Sequence, residues 1–432
     1  MSDVTIGYIG IGTLLILLFS RMSIGFVMGL VGFAGFCFLR GMEGGFALLD
    51  TIPYRTVASY TLCTLPLFIL MGQLTLHSEM SGDLFKTMRI WLGGLSGGLA
   101  MAVIGGCAAF AATSGSSMAT SATMGVASLP HMEKYNYAPS LATGSIASGG
   151  TLGILIPPSM GFILYGVITE ESIGKLFIAG ILPGILLAAL FIMTIFILTK
   201  LDKRLGPPGP PTSIIEKILS LRGVWPVLVL SLLVIGGLYG GIFTSTEAGA
   251  IGAFGALVIG LIKRRLTFRL FLESVLETGR LSAMIFIIII GAMIFSTFLT
   301  ASTIPSGLAA SVARLPVSPI VILLGVLLFY IILGTFMDIA SGLLLTLPVT
   351  FPLVMDLGYD PIWFGVISVL IFEIGLVTPP VGLNVFVVKG VAPDVPIFTI
   401  FRGIIPFFFA MLFCVALLIV FPKIATFLPS VM

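Results

Sequence analysis

The chain has 432 residues, of which 58% are hydrophobic and 9% charged, with a formal net charge of +3 and a mean hydropathy of +1.21. Soluble domains carry about 25% charged residues, so this composition excludes a water-soluble globular protein and points to a bilayer. The small net charge sits in short connecting segments rather than on a basic face, and no nucleic-acid partner is expected.

In chain order, apolar runs able to cross roughly 30 Å of hydrocarbon fall at 4–20, 24–39, 60–76, 137–169, 176–199, 224–240, 245–262, 281–299, 361–389 and 403–422. The opening MSDVT has no basic stretch and no small-residue cleavage site, so 4–20 reads as a retained span. Two further stretches, 93–130 and 319–353, are broken at their centres by TSGSSMATSAT and GTFMDIAS. That pattern predicts re-entrant hairpins with tips at mid-membrane. The proline-rich segment LDKRLGPPGPPTS at 201–213 predicts an extended linker between two halves. Cys37, Cys63, Cys107 and Cys414 have no metal-ligand or redox spacing and read as small buried hydrophobes.

The halves are related. GGTLGILIPPS at 149–159 and FEIGLVTPPVG at 372–382 each place two prolines inside an apolar run, and Pro157 and Pro158 lie 222 positions before Pro379 and Pro380. At the same offset Thr113 meets Thr335, Pro130 meets Pro352, Tyr137 meets Tyr359, Pro139 meets Pro361 and Gly153 meets Gly375. This is an internal duplication. Paired, Gly/Pro-interrupted membrane segments in corresponding places mark the substrate and ion site of a secondary transporter.

Orientation follows the basic residues. The segments 200–223 and 263–280 carry five Lys or Arg each, so both are predicted cytoplasmic. Counting from them puts Arg21, Lys86, Arg89, Lys134, Lys389 and Arg402 inside and both termini outside. The two repeats then insert in opposite senses, repeat one's hairpin entering from the cytoplasm and repeat two's from outside.

A proline within a helix leaves the carbonyl four residues earlier without its donor. Gly153, Ile154, Gly375 and Leu376 are therefore predicted to offer free carbonyls, and the hydroxyls of Thr151, Ser159 and Thr378 to complete an oxygen set for a hard cation. The alternative is a plain proline kink, satisfied by hydroxyls and water. The tips add Ser114, Gly115, Ser116 and Ser117 in repeat one and Gly334, Thr335 and Asp338 in repeat two; close helix packing is the bland reading of this small-residue stretch. Half-helices starting at both tips would aim positive dipole ends at one mid-membrane point suited to an anion. The candidate substrate residues around it are Ser116, Ser117, Pro158, Ser159, Thr335, Pro380 and Asn384. Asp338 and Glu373 are the ionisable residues deepest in apolar runs, functional by default, with a backbone hydrogen bond or a proton-coupling role as alternatives. Glu247 reads as a helix N-terminal partner. His77 and His131 lie at span edges and form neither a metal site nor a triad. No activated nucleophile, phosphate loop or dinucleotide fingerprint is present, so no enzyme is expected.

At these residues the chain resembles the large membrane subunit of tripartite ATP-independent periplasmic (TRAP) transporters. The motifs that carry the resemblance are ATSGSSMATSATMG at 112–125, GGTLGILIPPS at 149–159, IGKLFIAGILPGI at 173–185 and GLVTPPVGLNVFV at 375–387, and it spans about 4–422. The resemblance implies an all-α, multi-pass protein of the bacterial inner membrane, with inverted repeats, two re-entrant hairpins and two broken helices. It implies an elevator-type, sodium-coupled importer of organic-acid anions, surrounded by membrane lipid. Its partners would be a small four-helix membrane subunit and a soluble periplasmic solute-binding protein.

The scaffold would be 1–76 and 224–300, the mobile transport domain 77–175 and 301–402, with an arm and linker at 176–223 and a C-terminal arm at 403–432. Two or more sodium sites are implied, one from Ser114 to Ser117 with Gly150, Thr151 and Gly153, the other from Gly334, Thr335 and Asp338 with Gly375, Thr378 and Gly382. Two other readings compete. A stand-alone sodium/dicarboxylate symporter would need no binding protein, and a membrane subunit of an enzyme or respiratory complex would need histidines at membrane depth.

Overall fold

The structure is a computed structural model that describes residues 2–18, 22–210, 212–305, 307 and 317–432, and every regular element among them is a helix. Arg21, part of the orientation argument, lies outside the described residues. Seven of the helices are long and apolar enough to cross a bilayer, and up to nine spans result if two bent pairs count as one each. The chain is a multi-pass membrane protein.

One group of helices forms a frame: Asp3–Leu18, Ile24–Val57, Thr64–His77, Ile214–Tyr239, Ser245–Ile262 and Phe268–Ala301. Small residues let its long members approach at backbone distance. A β-carbon built on Gly25 would lie 2.7 Å from the Ile287 carbonyl oxygen, and one on Gly32 equally close to the Phe295 backbone.

The other group holds the duplicated units. In each, a helical hairpin is followed by a helix broken at its double proline. The first hairpin is Gly98–Ser114 and Ser117–Lys134, and the first broken helix Pro139–Leu155 and Met160–Thr169, bent by 40°. The second hairpin is Pro319–Gly334 and Ile339–Asp356, and the second broken helix Pro361–Leu376 and Leu383–Val391. Ser117–Lys134 and Ile339–Asp356 are both 18 residues long and start 222 positions apart, as do Pro139 and Pro361 at the heads of the broken helices. The Pro157–Pro158 and Pro379–Pro380 bonds are both cis.

The two hairpin bases sit at opposite ends of this group. At one end Gly97 donates to the Gly206 carbonyl at 2.8 Å, Gly209 to Gly93 at 2.8 Å and Ala138 to Leu205 at 3.0 Å. The first broken helix runs from there to the other end, where the Tyr165 hydroxyl donates to the Pro361 carbonyl at 2.7 Å and the Trp363 indole to Leu418 at 2.8 Å. The helices Ile173–Leu201 and Ile397–Val420 pack across both repeats.

Several boundaries differ from the sequence expectation. The run at 24–39 continues to Val57 across Gly41, whose φ of 84° kinks the helix. The segments 214–223 and 268–280, expected as connections, are helical because Ser213 and Thr267 cap helices there that begin outside the apolar runs. Met80–Leu92 was not expected at all. It is amphipathic, so no apolar run announces it, and it ties the two basic segments together. Lys263 and Arg265 meet Asp83 at 2.7 and 2.9 Å, and Thr87 donates to the Ser220 carbonyl at 2.9 Å. Cys107 and Cys414 are buried, but Cys37 is half-buried and Cys63 exposed, since their helix faces turn away from the protein interior. Glu247 accepts from the Thr244 amide at 2.8 Å in a capping box, as expected.

Candidate functional site

The two hairpin tips face one cavity of about 150 Å³. Its walls include Ser114 to Ala119 from the first tip and Asp338 to Ala340 from the second, with Gln73 on one frame helix and Met284 on another. Opposite-facing hairpins can share a centre only because their bases lie at opposite ends, so that each tip reaches the middle.

The first tip turns at Gly115, whose φ of 62° is cheap for glycine alone. Ser116 then caps the helix Ser117–Lys134, accepting from the Ala119 amide at 3.4 Å. The Ser114 hydroxyl meets Thr120 at 2.8 Å, and Thr120 donates to the Ser116 carbonyl at 2.8 Å. The first broken helix packs directly on this knot. A β-carbon on Gly153 would fall 2.6 Å from the Ser116 carbonyl oxygen, and one on Gly150 would fall 2.9 Å from that of Ser117. Met160, opening the second half, donates to the Gly115 carbonyl at 3.4 Å.

The second repeat reproduces this. Gly382 donates to the Thr335 carbonyl at 3.4 Å, and a β-carbon on Gly375 would lie 2.6 Å from the Gly334 Cα. In both repeats hairpin tip and helix break are thus one backbone-lined unit.

One of these carbonyls is less open than the proline argument predicted. Gly375, expected free, accepts from the Thr378 amide at 2.9 Å, because the helix closes with a tight last turn before the prolines. The Thr151 hydroxyl donates to Ser148 at 2.6 Å and that of Thr378 to Ile374 at 2.5 Å. A carbonyl or hydroxyl so engaged keeps a lone pair for a cation. Ser159 caps the second half of its own broken helix, accepting from Phe162 at 3.3 Å.

The tips differ in charge. Ser117 and Met118 open a helix whose cap, Ser116, is neutral, and both line the cavity. In repeat two, Asp338 does the capping. Its carboxylate accepts from the Ala340 amide at 3.0 Å, the Ser341 amide at 3.3 Å and the Ser341 hydroxyl at 2.6 Å. Both helix starts line the cavity, and the second is already neutralised from within by Asp338.

Of the candidate substrate residues, Ser116 and Ser117 line the cavity, while Pro158 and Ser159 line a smaller cleft under Leu65 and Phe68. Thr335 sits beside Gly382, Pro380 is exposed, and Asn384 is fully buried outside the cavity lining. The sequence reading missed Thr120 and Gln73. Gln73 is the chain's one glutamine, inside the apolar run LFILMGQLTL, which is the signal that would have found it. Among the described residues no cluster of three His, Cys, Asp or Glu forms a metal site, and His77 bonds the Gln73 carbonyl at 3.0 Å.

Fold and site define a polytopic helical membrane protein with paired hairpin and broken-helix units around a shared cavity. The chain belongs to the family described as the DctM component of the tripartite ATP-independent periplasmic transporter, whose sequence model matches residues 11–424. It is 38% identical to the C4-dicarboxylate TRAP transporter large permease protein DctM of Pseudomonas aeruginosa, over 88% of this chain and 86% of that one. It is 32% identical to the sialic acid large permease SiaM of Vibrio cholerae over 96% of both chains.

It is also 37% identical to the isethionate permease DctMQ of Oleidesulfovibrio alaskensis over 79% of this chain, which spans 54% of that longer protein. Among solved structures, the YdaH transporter of Alcanivorax borkumensis superposes with a TM-score of 0.59 at 16% identity, over 89% of this chain and 88% of that one. That likeness is one of fold. The protein is therefore a large permease of a tripartite transporter, not an enzyme.

Proposed function

We propose that this permease imports an organic-acid anion together with sodium by an elevator motion, in the inner membrane of a bacterium. The observation that carries the proposal is the single cavity shared by both tips, each tip fused to a helix break through backbone oxygens. Such oxygen cages suit a hard monovalent cation without a titrating group. One sodium would sit among Ser114, Ser116, Gly150, Thr151 and Gly153, the other among Gly334, Thr335, Gly375, Thr378 and Gly382 beside Asp338. The anion would rest on the open amides after Ser116. Relatives are named for C4-dicarboxylates, sialic acid, isethionate and ectoine, which supports a small organic solute and leaves its identity to the delivering protein.

The hairpins would enter the bilayer from opposite faces, and 77–175 with 301–402 would move against the frame. A small four-helix subunit would brace that frame, and a soluble periplasmic binding protein would deliver the anion. The test is reconstitution in proteoliposomes with both partners. Uptake requires loaded binding protein and an inward sodium gradient, and stops when potassium replaces sodium. Uptake by the isolated chain overturns the tripartite delivery; uptake driven by a pH gradient without sodium overturns the coupling.

A further inference from the structure

Six buried side chains among the described residues have polar atoms without a hydrogen-bond partner: Ser121, Ser148, Ser282, Ser368, Glu373 and Asn384. Glu373 is the one carboxylate of the six. It is 0% exposed, in the second broken helix, and neither oxygen makes a hydrogen bond of good geometry. The described ion pairs all lie elsewhere. A buried carboxylate in apolar surroundings demands a positive or strongly donating companion.

The neighbour the structure gives Glu373 is a hydroxyl. The Ser117 side chain faces it from the first turn of Ser117–Lys134. Ser121 follows one turn later on the same face, its hydroxyl pressed against Gly150. Asn384 opens the helix Leu383–Val391, which packs on Ser117–Lys134, with Val391 against Gly125 at a distance of 3.2 Å from a β-carbon built there. Both helices run from the centre toward the same end, and at about 1.5 Å per residue Asn384 reaches the level of Ser117 to Ser121. Its amide is also fully buried and unpartnered. The duplication makes the arrangement one-sided: 222 positions before Glu373 stands Thr151, whose hydroxyl is satisfied by Ser148.

We infer that Glu373, with Ser117, Ser121 and Asn384, forms an additional sodium site that joins the first hairpin to the second broken helix. One carboxylate among neutral oxygens balances a monovalent cation, whereas a divalent ion would leave a buried net charge. The inference rests on the sodium coupling proposed above and adds an ion that locks the two repeats together.

The test is equilibrium binding of radioactive sodium to the purified permease complex. Glu373→Gln, which keeps the shape and removes the charge, binds one sodium fewer per complex than the wild type. Ser121→Ala keeps the count and weakens binding about tenfold, the worth of one ligand oxygen. A Glu373→Gln protein that binds as many ions as the wild type overturns this site alone, and the carboxylate then carries a proton. Absence of sodium from the wild type overturns the coupling with it. Should Glu373→Gln fail to fold, Ser117→Ala and Ser121→Ala decide, and unchanged sodium affinity in both overturns the inference.

Discussion

The unequal tips make a substitution that exchanges their chemistry informative. Ser116 and Asp338 hold the same cap position 222 residues apart, one neutral and one anionic. Asp is as good a cap as Ser and favours a helix N-terminus by about 0.3–1 kcal/mol. Ser116 is half-buried, so a carboxylate there keeps some water. Ser116→Asp therefore leaves thermal stability unchanged or slightly raised. Its effect on the substrate is the reverse. A carboxylate at the cap stands about 4 Å from an anion held on the Ser117 and Met118 amides, and two like charges at that distance repel by about 4 kcal/mol in surroundings of intermediate polarity.

That is a loss of about a thousandfold in affinity. Ser116→Ala is the control, losing about 1 kcal/mol of stability with the cap while adding no charge to the cavity and leaving the anion affinity within about tenfold. The assay pairs thermal unfolding in detergent with uptake in proteoliposomes carrying both partners, using the anion that purifies with the binding protein. Wild-type affinity in Ser116→Asp would refute the placement of the anion on the first tip. A stability loss larger than that of Ser116→Ala would refute the cap geometry.

Gly153→Ala should cost about 1–3 kcal/mol by overpacking, because its β-carbon would meet the Ser116 backbone at 2.6 Å; unfolding midpoints with and without sodium report it, and an unchanged midpoint would contradict the fused tip and break. Glu171, in the connection before Ile173–Leu201, has its carboxyl pushed above the usual 4.5 by burial and by Asp360, with Lys175 opposing. A raised carboxylate favours the folded state fully below about pH 4.5 and loses that contribution as pH rises through the folded value. Glu171→Gln should thus raise the unfolding midpoint at pH 7 and leave it unchanged near pH 4; a pH-independent effect would point to packing instead.

Much of this architecture was legible in the chain because its cause is local. Apolar length marks the spans, and a recurring set of prolines at one offset marks the duplication whether or not the repeats touch. The same locality placed the tips at TSGSSMATSAT and GTFMDIAS, since short hydroxyl and glycine runs stop helices by competing for their backbone. The helix Met80–Leu92 escaped notice because its apolar residues occupy one stripe. Tertiary structure decided what depends on partners remote in sequence. Pro157 and Pro379 announce a break, but only the packing of Gly153 on Ser116 and of Gly375 on Gly334 turns each break into a unit with its tip. Asp338 looks like a free anion in the sequence, and only the folded helix shows its oxygens taken by Ala340 and Ser341. Glu373 is the converse. Sequence placed it deep in an apolar run, and the fold sets the Ser117 side chain before its carboxylate without a well-formed hydrogen bond, because such bonds are made between surfaces that only packing brings together.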